Sequence, residues 1–421
     1  MEKLRIRGGR PLRGHVPISG AKNASLPVLA AALLTAEPVK VSNVPRLRDV
    51  HTMLDVLQAL GASASFCSED EVIVKADTID NLKAPYDLVK TMRASFLVLG
   101  PLLARFQFVE VSLPGGCAIG TRPIDQHLKA LEALGATIEL KEGYVTAKID
   151  GRLRGSLIDM DIATVTGTQN ALMAASLAEG DSTIVNAARE PEIHALAAVL
   201  NDMGAEIEGA GSDVIHIKGK ESLHGCDTRL MPDRIEAGTF LIAGAATRGC
   251  ITINGGCHDL LDAPLAKLRQ SGAEVTVDGD YIQLDTRGKR PRAVDIRTAT
   301  YPGVPTDLQA QFLALNCVAD GTSRVTETIF ENRFMHVPEL SRLGASIESD
   351  GTTATIQGVP SLRGANIMAT DLRASSCLVI GGLVASGETI VDRVYHLDRG
   401  YEHIEAKLTA VGADIHRFNE G

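Results

Sequence analysis

No tryptophan occurs in this chain, and aromatic residues of all kinds make up only 4% of its 421 positions. So sparse a complement excludes a stacking platform for single-stranded nucleic acid, which needs successive exposed rings. Basic runs are missing too. Lys and Arg number 42 against 52 Asp and Glu, for a net charge of −10. Such a chain repels polyanions at long range, so neither nucleic acid nor an anionic membrane is an expected partner. Any anionic substrate must instead meet a local cluster of cations. Long apolar runs are also lacking. The longest, such as Phe96–Ala104, fall far short of a membrane span, and the opening Met-Glu-Lys-Leu-Arg-Ile-Arg holds no apolar signal core. The seven cysteines, at 67, 117, 226, 250, 257, 317 and 377, form no Cys-x-x-Cys pair. Scattered thiols in a large chain point to a reducing compartment, here the cytoplasm. No HExxH, HxxxH, GxGxxG or P-loop occurs, so no metal and no cofactor is expected.

What is present is ordinary in bulk and regular in detail. Hydrophobic residues make up 45% and charged residues 22%, as in globular domains generally. The length exceeds one typical core and implies two domains. Glycine is abundant at 40 residues, and part of it is periodic. The tripeptide Leu-Gly-Ala or a near variant recurs at 60–62, 134–136, 203–205, 271–273, 343–345 and 411–413. Consecutive copies lie roughly 70 residues apart, the mark of a duplicated unit.

Each unit reads alike: an apolar helix, a strand, an amphipathic helix capped by the repeat Gly, and a hairpin. Examples are Leu26–Leu34, Val39–Val41, Asp125–Leu134 and the pair 274–277 with 281–284. The first helix is apolar nearly all round and is therefore buried. The strands alternate apolar and polar and so keep one wet face. The expected fold class is α/β: two inside-out, barrel-like domains of three repeats each, with buried helices and outer sheets. The sixth unit stops short of its last strand, and Leu4–Gly8 matches Thr355–Gly358 and Ile215–Gly219. The N-terminal strand is thus expected to close that unit. Residues 22–230 would form the first domain, 1–21 and 231–421 the second, with a ligand cleft between them.

Chemistry concentrates at a few places. Cys117 sits in Leu-Pro-Gly-Gly-Cys-Ala-Ile-Gly-Thr-Arg-Pro, residues 113–123. Three glycines within six residues expose it, and Arg122 favours its thiolate. The ordinary alternative is a small apolar residue on a turn. Lys22-Asn23 opens the first buried helix, where backbone N–H groups and a cation suit an anion. The ordinary alternative is a solvated Lys beside a capping Asn. Arg93, Asp307 and Arg373 lie at equivalent helix starts, and Arg399 follows in Leu397–Tyr401. Helix-start Asp is normally a cap and surface Arg normally solvated. Their placement counts for more, because the repeat gathers helix starts at one end of each domain.

These residues resemble those of the enolpyruvyl transferase family, on the side of it that uses UDP-N-acetylglucosamine as acceptor. The resemblance runs from Ile18–Asn23 to Asp398–Tyr401. Its most specific pieces are Pro114–Gly120, Met92–Ser95, Pro305–Gln311 and Phe330–Phe334. It implies transfer of the enolpyruvyl group of phosphoenolpyruvate to the sugar 3-hydroxyl with release of phosphate, the first committed step of peptidoglycan synthesis. It also implies two inside-out α/β domains of three repeats. By the resemblance, Cys117 is the proton donor and the residue fosfomycin modifies. Lys22, Arg122 and Arg399 grip phosphoenolpyruvate, and Asn23 contacts the reacting groups. Asp307 orients or deprotonates the 3-hydroxyl. The nucleotide-sugar site comprises Arg93, Arg122, Pro123, Ile124, Asp125, Gln126, Ile162, Ala163, Thr164, Val165 and Ile329, and Asp371 and Arg373 lie near the reaction centre. The chain departs from the family pattern at Ile162 (Lys in some relatives), Gln169 (often Glu) and Val304 (often Phe). Two rivals stand beside this reading. One is the sister transferase acting on shikimate 3-phosphate, which lacks the Cys117 loop; the other is a non-catalytic repeat scaffold, which would bind neither substrate.

Overall fold

The computed structural model describes residues 2–90, 92–113, 124–255 and 257–419. They divide into two compact units, one running from Gly20 to Met231 and the other taking the residues up to Ser19 together with those from Pro232 onward. Each unit has its own apolar core.

Within both units one sheet plan repeats. A short edge strand pairs in parallel with the first long strand, which pairs antiparallel with the second arm of a hairpin, which pairs with the first arm. In the Gly20–Met231 unit the plan appears as Lys83–Ala84, Phe108–Ser112, Tyr144–Lys148 and Thr137–Lys141. It recurs as Leu157–Asp159, Asp181–Val185, Val214–Lys218 and Glu206–Glu208. The third sheet takes its edge strand, Asp227–Arg229, from the far end of the unit to pair with Val39–Ser42. The other unit follows suit. Arg13–Pro17 pairs with Cys250–Asn254, and Glu2–Arg7 lies between Glu388–Asp392 and Asp414–Asn419. The parallel edge strands are not anticipated by the sequence. Lys83–Ala84 and Ile296–Arg297 are two residues long, too short for alternation to register.

The apolar helices are buried as their composition requires. Every residue of Arg234–Ala246 and of Gln309–Val318 is buried. Gly381 and Gly382 lie inside Leu372–Val384, where a Cβ would come within 3.0 Å of Leu343 and of Ile6. The amphipathic helices, such as Arg48–Ala59, bury one face only. After each, the repeat glycine takes a left-handed φ, from 90° at Gly344 to 100° at Gly61 and Gly204, a conformation that ends the helix at no cost for glycine. Pro101 is accommodated because its α-helix starts at Leu99, after a 3-10 stretch Arg93–Val98, so its missing N–H falls where none is needed.

Candidate active site

Cys117, Arg122 and Pro123 lie outside the described residues. The remaining candidates fall into two groups, one in each unit.

In the Gly20–Met231 unit, Lys22 and Asn23 are the first residues of helix Lys22–Ala31. Neither ordinary alternative holds for them. The N-cap is Ala21, without a side-chain cap. The Lys22 side chain is 13% exposed and pairs at 3.0 Å with Asp49, itself 3% exposed. A buried carboxylate behind a lysine holds its ammonium in place at a helix N-terminus, where the backbone dipole also favours an anion.

Three further segments of this unit meet around His127. Arg93 starts the 3-10 stretch Arg93–Val98, Ile124 precedes the helix Asp125–Ala133, and Val165 starts the helix Val165–Ser176 after Ala163 and Thr164. Gln126 fastens two of them: its Oε1 accepts from Asp161 N at 2.9 Å, and its Nε2 donates to Asp161 Oδ2 at 3.1 Å and Asp125 Oδ2 at 2.9 Å. Ile162 is 64% exposed, an uncovered apolar side chain beside this junction. His127 is buried. Asn170 Nδ2 donates to its Nδ1 at 2.7 Å, so the ring proton sits on Nε2 and faces Thr166 Oγ1 at 3.1 Å. The Asn170 amide is oriented by backbone groups, accepting from Gly100 N at 2.8 Å and donating to Phe96 O at 3.1 Å. Burial, aided by the Arg93 charge and opposed by Asp125, lowers the His127 pKa to about 3. The imidazole is a neutral structural strut.

In the other unit the centre is Asp307, in the 3-10 turn Thr306–Leu308. It is not the cap of that turn. Arg333 Nη2 donates to its Oδ1 and Arg373 Nη2 to its Oδ2, both at 2.9 Å. Its side chain keeps 24% exposure, while those of Arg333 and Arg373 keep 7% and 4%. A carboxylate gripped at both oxygens has its orientation set before any substrate arrives. Asp371, by contrast, is a cap: its Oδ1 accepts from Arg373 N and Ala374 N at 2.9 Å each. The cap fixes the first turn of Leu372–Val384 and so aims Arg373.

Burial opposes the Arg373 charge, but Asp307, Tyr401 and Asp233 together outweigh it and hold the guanidinium pKa above its ordinary value. Arg373 Nε and Nη1 are buried with no hydrogen-bond partner among the described residues. That is a costly arrangement for folding alone. The guanidinium stacks 5.6 Å from the Tyr401 ring, and the Tyr401 hydroxyl meets Thr239 Oγ1 at 2.9 Å and Gln311 Nε2 at 3.2 Å. Gln311 Nε2 in turn donates to Asp307 O at 2.9 Å. Arg399 ends the 3-10 stretch Val394–Arg399. Ile329 is 37% exposed. Val304, at a departure from the family pattern, is 5% exposed and packs into the core of this unit.

Sequence reasoning missed Asp49 and His127. Gln311, Arg333 and Tyr401 stood in quoted motifs without a role. A buried ion pair with a partner many residues away leaves no periodic mark.

A groove of about 530 Å³ lies elsewhere, lined by Lys3, Arg5, Glu339, Arg342, Asp392 and Phe418 among others. It contains none of these candidates. Among the described residues no cluster of His, Cys, Asp and Glu is arranged to hold a metal, and no helix is long and apolar enough to cross a membrane.

The family described as EPSP synthase (3-phosphoshikimate 1-carboxyvinyltransferase) matches residues 6–408. The chain belongs to this family of enolpyruvyl transferases and is a transferase. Within the family, its relatives along the whole length bear a different name. It is 58% identical over 417 residues to the UDP-N-acetylglucosamine 1-carboxyvinyltransferase of Shewanella pealeana, covering 99% of both chains. It is also 58% identical to the enzyme of that name from Actinobacillus succinogenes, covering 100% of both. Among solved structures it is similar to the enolpyruvyl transferase NikO from Streptomyces tendae (TM-score 0.88, 29% identity, covering 100% of this chain and 99% of that one). EPSP synthase from Acinetobacter baumannii shares the fold, with a TM-score of 0.76 at 18% identity and full coverage of both chains.

Proposed function

We propose that this enzyme transfers the enolpyruvyl group of phosphoenolpyruvate to the 3-hydroxyl of UDP-N-acetylglucosamine and releases phosphate, in the cytoplasm, as the first committed step of peptidoglycan synthesis. The observation that carries this reading is the 58% identity, over the whole length, to relatives of that activity's name. The sister reaction on shikimate 3-phosphate has weaker support, because its structural relative is similar at only 18% identity.

In this reading the sugar hydroxyl attacks C2 of phosphoenolpyruvate while C3 takes a proton from Cys117. The tetrahedral adduct then loses the C3 proton and expels phosphate. Asp307 orients the 3-hydroxyl or takes its proton, held for that task by Arg333 and Arg373. Lys22, Arg122 and Arg399 neutralise the phosphate and carboxylate, with Asn23 as a polar contact. Arg93, residues 122–126, residues 162–165 and Ile329 bind the nucleotide sugar, and Asp371 places Arg373. The fold is in this reading two inside-out barrels of three repeats, 22–230 and 231–421 with 1–21. Burial of the apolar helices supports it.

The test is phosphate release from phosphoenolpyruvate with and without UDP-N-acetylglucosamine, alongside intact mass after fosfomycin. Sugar-dependent release and one adduct mapped to Cys117 are expected. Release with shikimate 3-phosphate instead would move the chain to the sister reaction.

A further inference from the structure

We propose that Glu327 is a positioning residue of this enzyme, its buried carboxylate holding the turn that carries Asp307 in register with the segment that carries Ile329 and Arg333. The inference rests on the roles of Asp307 and Ile329 given above.

Glu327 is 1% exposed. Burying a carboxylate is costly unless hydrogen bonds replace its water. Four neutral donors do so here. Oε1 accepts from Thr298 Oγ1 at 3.0 Å, Ile329 N at 2.8 Å and Phe330 N at 3.2 Å. Oε2 accepts from Thr306 Oγ1 at 2.8 Å. The Thr298 hydroxyl is itself fixed, since it accepts from Thr328 N at 2.8 Å and so spends its one proton on Glu327. Only an acceptor-only side chain with lone pairs on two oxygens meets all four donors without turning one of them round.

The donors come from three stretches of the chain, around Thr298, Thr306 and Ile329, which backbone bonds from Thr298 to Thr326 and from Ala299 to Val304 also join. Thr306 is the residue before Asp307, in the turn Thr306–Leu308. Ile329 and Phe330 open the stretch that leads to Arg333, which grips Asp307 Oδ1. Glu327 therefore links the backbone of Asp307 to the backbone of the segment that supplies its arginine. Glu327 acts through these residues. A shift of about 1 Å at a reacting group can cost on the order of a hundredfold in rate, so loosening this link should appear in turnover.

Thr306→Val removes the arm to Asp307 and leaves the three donors on Oε1. In steady-state assays with phosphoenolpyruvate and UDP-N-acetylglucosamine, kcat should fall about tenfold or more, with KM for phosphoenolpyruvate within about twofold. Thr306→Ser keeps the hydroxyl and should restore kcat, which a general loss of packing would not predict. If Thr306→Val does not yield folded protein, Glu327→Asp, which keeps the charge but withdraws it by one methylene, carries the same expectation for kcat. Asp307→Asn is measured in parallel. An inactive Asp307→Asn with parental kcat in Thr306→Val, or in Glu327→Asp where that stands in, overturns this inference and leaves the role of Asp307 standing. Parental kcat in Asp307→Asn overturns both.

Discussion

Arg373 shows what a single residue can reveal about purpose. It lies almost wholly buried, gives one nitrogen to Asp307 and leaves Nε and Nη1 without hydrogen-bond partners among the described residues. Breaking an ordinary buried ion pair costs about 3–5 kcal/mol. Here the loss is offset, because Asp307 keeps Arg333 and partial exposure, and the two unpartnered nitrogens leave with the side chain. Arg373→Met is therefore expected to shift unfolding free energy by no more than about 1 kcal/mol, read from urea melts. Yet kcat/KM should fall by about a hundredfold or more, as for loss of a preorganised charge. A stability loss of the full size with little effect on kcat/KM would make Arg373 a structural residue.

At the scale of elements, the junction of Arg93–Val98, Asp125–Ala133 and Val165–Ser176 is built on a neutral histidine, and this has a pH signature. The groups facing His127 are Asn170, Thr166, Phe96, Arg93 and Asp125. Its folded pKa, about 3, lies below the ordinary 6.5, so its neutral form favours the fold fully above pH 6.5. That contribution is lost as pH falls from 6.5 toward about 3. Between pH 7 and 5 the loss is about 2 kcal/mol. Buried His336, lowered to about 4 by burial, by Arg333 and against Asp371, adds a similar increment in the same window. Urea melts at pH 7 and 5 should show both, and His127→Gln should roughly halve the difference. An unchanged difference would mean that His127 is not the titrating group. Much at this scale was legible in the sequence. The six repeat glycines all adopt the left-handed φ their position implied, and helices apolar all round are buried. Asp307 could be singled out as a helix-start acid. That both its oxygens are taken by arginines at 333 and 373 could not, because those partners arrive through the tertiary fold. Asp49 behind Lys22 and Glu327 behind Asp307 escaped for the same reason: a buried acid and an exposed one look alike in a single sequence.

On the scale of the whole molecule, the chain closes on itself. Glu2–Arg7 is the central strand between Glu388–Asp392 and Asp414–Asn419, with Arg5 opposite Ile390 on one side and His416 on the other. Leu4 and Ile6 are completely buried in the core of that unit, worth about 3–6 kcal/mol together as apolar side chains. Deleting residues 1–8 therefore removes this apolar burial, leaves Asp414–Asn419 without a neighbour and opens one edge of Glu388–Asp392, whose other edge stays paired with Asn366–Met368; both present unpaired backbone groups of the kind that template aggregation. Hydrogen exchange should show protection lost in 414–419 and reduced in 388–392. The sheet of Val39–Ser42, Val72–Lys75 and Ser63–Phe66 takes no strand from the N-terminal segment and should keep its protection. Retained protection in 414–419 would mean that the remaining strands re-pair without Glu2–Arg7. Loss across both units alike would mean that the two unfold as one cooperative body, so that a strand at one end of the sequence stabilises sheets it never touches.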